Sequence, residues 1–160
     1  MHYQEVKEKL LQHLIENGYL QMGKDAVYKI FDGSYILIKP RKHIISSTQF
    51  FVDYGILYQY DGKQKKPAKT SDCHFAGEFS NVANWKTGEL NKEDYKVWDT
   101  EPIDLAEILE TIGNIILPYI DMVSKLSYIQ QNYPLNNHQK RGNATSLANH
   151  NYLCGLINLN

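Results

Sequence analysis

The sequence predicts an α+β fold: an antiparallel sheet of four to five strands, packed on one face by N-terminal and C-terminal helices. Three observations carry this reading. The apolar period is near 3.6 at the start of the chain, near 2 through its middle and near 3.6 again past residue 100. Asp32-Gly33 separates two short runs rich in Val, Tyr, Ile and Phe, the strongest short-range hairpin signal. Strands and helices are segregated along the chain rather than alternating, which argues against a parallel βαβ sheet. At 160 residues the chain is read as one domain, 1–160.

The first helix is expected over residues 2–17. Val6, Leu10 and Leu14 recur every four positions, and Tyr3, Leu11 and Ile15 widen the stripe. Asn17-Gly18 supplies the stop, because glycine enters the left-handed region without a Cβ clash. Ala26–Phe31 and Ser34–Ile38 form the hairpin around Asp32-Gly33, and Pro40 ends or edges the second strand. Gln49–Tyr60 is the clearest strand: Phe50, Val52, Tyr54, Ile56, Tyr58 and Tyr60 fall on one face. Gly55, on the other face, marks a bulge or a close backbone approach.

Residues 61–72 read as a lysine-rich polar loop, and Cys73–Val82 as a further strand with His74, Ala76 and Glu78 opposite Phe75, Gly77 and Phe79. Asn84–Glu93 is turn-like, and Tyr95–Trp98 is a short edge strand or an extended lead-in. Thr100-Glu101-Pro102 announces a helix over residues 103–131, which Pro118 should kink or split. A last helix over 143–157 ends at the terminus or begins a truncated extension.

Composition narrows function by exclusion. There are 17 Lys+Arg against 18 Asp+Glu, a net charge of −1, so the total gives no electrostatic case for nucleic acid or membrane. The total conceals a split: residues 1–69 are net +4, 70–110 net −7 and 111–160 net +2. The start of the chain is charged, without a signal-peptide core, and no apolar run approaches the roughly 20 residues a bilayer needs. The expectation is a cytoplasmic protein with its two cysteines reduced and buried.

Chemistry-bearing motifs are sparse. Gly33, Gly55, Gly62, Gly77 and Gly88 stand alone, so no phosphate cradle is formed. The six histidines are scattered and lack metal-ligand spacing. No catalytic residue, cofactor or metal is assigned, and the chain is read as leaning away from an enzyme. Asp53, His74 and Glu78 are the candidate polar groups for a pocket between sheet and helix, the arrangement a small-molecule binder or enzyme would need. Trp85, Tyr95 and Trp98, beside Glu89, Glu93 and Asp94, are the candidate interaction surface, since Tyr and Trp are enriched at protein contacts. Lys39, Arg41, Lys42 and His43, with Lys63, Lys65, Lys66 and Lys69, would form the basic edge of a weak single-stranded nucleic-acid binder. A protein partner is favoured over a small molecule; nucleic acid is disfavoured, no membrane partner is expected, and no oligomeric state is assigned.

Several of these segments together carry a resemblance: the helix ending in Asn17-Gly18-Tyr19, the hairpin strand Val27-Tyr28-Lys29-Ile30-Phe31, the run Phe50-Phe51-Val52-Asp53-Tyr54-Gly55-Ile56, and Trp98 before a long helix. They resemble the bacterial domain-of-unknown-function family numbered 4304 over roughly residues 5–130. The resemblance implies a small α+β domain with an interaction or immunity-type role. The family has no assigned catalytic residues, so none is carried over.

Overall fold

The computed structural model describes residues 2–80, 82, 98–99, 105–132 and 154–155. Helix α1 spans Tyr3–Glu16 and buries Val6, Leu10, Leu11 and Leu14. Ile15, expected in the stripe, is 37% exposed and lies off it. The Glu5 carboxylate accepts the N–H of His2 at 3.1 Å, satisfying a free donor at the helix start. At the other end Gly18 takes φ +95°, and the N–H groups of Gly18 and Tyr19 bond back to Ile15 and Leu14. This is a Schellman closure, and it turns Tyr19 into the core, where it is 1% exposed.

Strands β1 (Leu20–Met22), β2 (Ala26–Phe31), β3 (Ser34–Lys42), β4 (Gln49–Leu57) and β5 (Phe75–Glu78) follow in chain order and pair antiparallel in that order. A two-residue strand β6 (Trp98–Asp99) pairs with β4, placing Trp98 opposite Phe50. The α+β reading therefore holds. Strand β1 was not foreseen, since three residues are too few to establish a period. Asp32 and Gly33 both have positive φ, the type I′ geometry that matches strand twist.

Three expectations about the strands are corrected. Of the two readings of Pro40 the edge holds, and the strand does not stop near Ile38: β3 continues through Pro40 to Lys42. The pairing of β2 with β3 stops at Val27–Ile38, while β3 and β4 stay paired to Lys42–Phe50. Pro40 therefore sits where β3 has lost one neighbour, a local edge that tolerates a missing donor. Tyr60 does not share a face with Tyr58. The strand ends at Leu57, Gln59 adopts φ +54°, and Tyr60 packs with Ala26, Tyr35 and Leu37 on the opposite side of the sheet. The strand expected over Cys73–Val82 is likewise shorter, turning helical at Phe79 and Ser80.

The main core lies between the helices and the face bearing Val27, Ile36, Ile38, Phe50, Val52, Tyr54, Ile56 and Tyr58. The outer face has its own small cluster, closed by the returning 59–73 segment. A Cβ on Gly55 would lie 2.7 Å from Cys73 Sγ and 3.1 Å from Thr70 Cα, so Gly55 marks a close backbone approach.

The long helix is not split at Pro118. Helix α2 (Leu105–Thr111) runs into a π-helical turn (Ile112–Ile116) just before it, which leads into α3 (Leu117–Ser124), with Thr111, Ile116 and Leu117 all in right-handed helical dihedrals. The break comes at Lys125, with ψ 134°, and separates α4 (Leu126–Asn132). The sheet holds this break. Tyr58 Oη donates to the Val123 carbonyl at 2.8 Å and Ser34 Oγ to the Ser124 carbonyl at 2.7 Å. Carbonyls of a last helical turn need outside partners, and here two buried sheet hydroxyls supply them. Of the helix expected over 143–157, only Cys154 and Gly155 are described, and both are helical.

Candidate functional site

Asp53 and Glu78 face each other directly across β4 and β5. Two like charges in that register repel, and Arg41 resolves the conflict. Its Nε lies 2.8 Å from Asp53 Oδ2, and its Nη2 lies 3.3 Å from Asp53 Oδ1 and 3.2 Å from Glu78 Oε1. Burial first, and Asp53 second, push the Glu78 carboxyl above its ordinary range, while Arg41 opposes them. Glu78 Oε2 is buried without a hydrogen-bond partner. The hydrogen bond that Arg41 donates to Asp53 in turn holds the guanidinium in its charged form. With one guanidinium bound to both carboxylates, the cluster is built to position Arg41. The guanidinium lies over the Phe51 ring, 4.2 Å from its centroid, a cation–π contact.

This cluster supports the end of the β3–β4 hairpin. His43 stacks on Phe51 with centroids 5.6 Å apart, and its N–H closes the hairpin on the Gln49 carbonyl at 3.2 Å. His43 Nδ1 accepts the N–H groups of Ile45 and Ser46 at 3.2 and 3.1 Å. Ser46 Oγ accepts those of Thr48 and Gln49 at 3.2 and 3.1 Å. Four loop amides are thus satisfied by two side chains, and the tip they order presents Ile44 and Ile45, 95% and 90% exposed. Sequence reasoning missed these two residues. The available signal was a pair of adjacent β-branched apolar residues in a turn segment with no alternation to place them in a core.

His74 is placed elsewhere. It precedes β5, four positions before Glu78, and lines a groove of about 460 Å³ with Leu57, Lys65, Lys66, Asp72 and other loop residues. Its Nδ1 accepts the Tyr58 N–H at 3.0 Å, and burial lowers its pKa to about 4. It is therefore neutral at pH 7, with its proton on Nε2. Asp53 and Glu78 thus come together and His74 stands apart. All three belong to the face opposite the main helices, where Gly55 and Leu57, alternate residues of the same strand as Asp53, also lie.

The basic residues do not frame free aromatic faces. Lys66 Nζ sits 4.0 Å from the centroid of Tyr28, whose ring is also stacked on Tyr35. Phe51 is occupied by Arg41 and His43. Stacking platforms for bases need exposed rings. The proposed surface of Trp85, Tyr95, Glu89, Glu93 and Asp94 lies outside the described residues, and for Trp98 only the strand pairing is described. Among the described residues no group of three or more metal-ligating side chains occurs, and no helix is long and apolar enough to cross a membrane. Cys73 is buried and Cys154 half-buried, and burial raises the Cys73 thiol to about 12.

No protein-family model, curated protein or solved structure matches the chain.

Proposed function

We propose that this chain is a non-enzymatic protein-interaction domain whose contact surface includes the Ile44-Ile45 tip of the β3–β4 hairpin. The observation that carries the reading is the combination of order and exposure at that tip. Two β-branched side chains are held out into solvent by a network satisfying four amides. Burying an isoleucine fully is worth about 1.5–3 kcal/mol, so a partner pocket accepting both would gain roughly 3–6 kcal/mol. An ordered tip loses less entropy on binding. Lys42 and the 46%-exposed Arg41 side chain precede it on β3, which suits a partner with acidic residues around an apolar pocket. An immunity-type role, as the family resemblance implies, is one form of such a domain.

The experiment is site-specific photocrosslinking in the source cell. A photoreactive residue at Ile45 should give a discrete adduct that disappears when Ile44→Ser is added. The same residue at Leu20, exposed on the distant β1 edge, should not give that adduct. Capture at Leu20 and none at Ile45 would refute the assignment of the surface.

A further inference from the structure

We propose that His43 is an acid-released pin for this tip: in its neutral form it fixes Ile44 and Ile45 in the presented conformation, and protonation lets them go. The inference rests on the reading of the tip as the contact surface. Its basis is the direction of two hydrogen bonds. His43 Nδ1 is an acceptor, receiving the N–H groups of Ile45 and Ser46 at 3.2 and 3.1 Å. Only an imidazole with Nδ1 unprotonated can do this. The imidazolium has a donor at both nitrogens and no acceptor, so a proton on Nδ1 would set three N–H groups against one another. Histidine is the side chain that ordinarily makes this change between pH 5 and 8.

The ring is stacked on Phe51 from β4. Arg41 shares that Phe51 ring, and Lys42 precedes His43 in the chain. Two carboxylates of this corner, Asp53 and Glu78, are both engaged by Arg41, and Asp99 of β6 is placed opposite Gln49 by strand register. An imidazolium adds to the positive charge of Arg41 and Lys42 at the end of β3. The effect is also local. The bond from the His43 N–H to the Gln49 carbonyl and the pairing of Lys42 with Phe50 do not involve the imidazole, so the hairpin stays closed while residues 44–46 loosen.

Backbone ¹⁵N relaxation on the full chain tests this without any partner, with the His43 ring shifts followed in parallel. At the higher pH, where the ring shifts report a neutral His43, the Ile45 and Ser46 amides should have order parameters close to ~0.85, falling below ~0.6 at the lower pH, where those shifts report the protonated ring. His43→Asn substitutes a side chain that bonds the amides two and three residues on and does not titrate; its tip should stay ordered at both pH values. His43→Phe retains a ring against Phe51 but lacks the acceptor, and its tip should be mobile at both. Unchanged order at Ile45 and Ser46 while the His43 ring titrates would overturn the proposal, as would an ordered tip in His43→Phe. Failure of the Ile45 crosslink with the pH response intact would remove the contact reading and leave the pin standing.

Discussion

Tyr58→Phe removes one oxygen atom and tests whether the sheet dictates where α3 ends. The Tyr58 side chain is fully buried, and its hydroxyl donates at 2.8 Å to the Val123 carbonyl in the last turn of α3. Phenylalanine fills nearly the same volume, so the change is confined to the hydrogen bond and the small space the oxygen leaves. A buried carbonyl left without its donor costs about 1–3 kcal/mol. Each kcal/mol corresponds to about 2–4 °C in Tm for a domain of this size. A loss near 2 kcal/mol, or about 4–8 °C, is therefore expected. Ser34→Ala, which removes the 2.7 Å donor to the adjacent Ser124 carbonyl, should cost a similar amount. Because both hydroxyls hold one helix end, freeing it by either change relieves part of the demand for the other. The double variant should fall short of additivity by at least about 0.5 kcal/mol. Urea unfolding of the four proteins measures all three quantities, with m unchanged. A Tyr58→Phe cost below about 0.5 kcal/mol, or strict additivity, would refute the idea that sheet hydroxyls terminate α3.

Three further outcomes follow from other parts of the molecule. Gly55→Ala should destabilise by about 1–3 kcal/mol in thermal melts, since its Cβ would meet Cys73 Sγ at 2.7 Å and Thr70 Cα at 3.1 Å; adding Cys73→Ala should restore only part, because the backbone contact remains. At pH 8 a disulfide-exchange reagent should titrate Cys154 in the native protein and reach Cys73 only after unfolding, the Cys73 thiol being buried and raised to about 12. Burial lowers the pKa of His74 to about 4 from 6.5. Between these values the unfolded chain binds the extra proton, so stability is fully present above pH 6.5 and declines as pH falls toward about 4. Urea midpoints across that range should show the decline in the parent and a smaller one in His74→Asn.

The elements legible in the sequence were those whose signals are local. The α1 stripe and its Gly18 stop, the Asp32-Gly33 turn and the alternation of β4 each depend on residues a few positions apart. Cys73 as a small buried hydrophobe and Gly55 as a close approach were also legible, although not what approaches Gly55. The strand misreadings share one cause. Whether Pro40 is tolerated depends on where β2 stops pairing, and the side taken by Tyr60 depends on a positive φ at Gln59.

The site divides in the same way. Alternation alone put Asp53 on the less apolar face of its strand, and Glu78 on the corresponding face of the next. Strand register then set the two carboxylates opposite each other and brought Arg41 between them. It moved His74 four positions away, to a separate groove. The exposure of Ile44 and Ile45 follows from the hydrogen bonds of His43 and Ser46. By itself, the sequence determined the α+β class and most element types, because amphipathic period, turn chemistry and helix stops act over a few residues. The tertiary structure alone decided which charges meet, which rings are covered and which apolar side chains face water, because those depend on the pairing of strands distant in the chain.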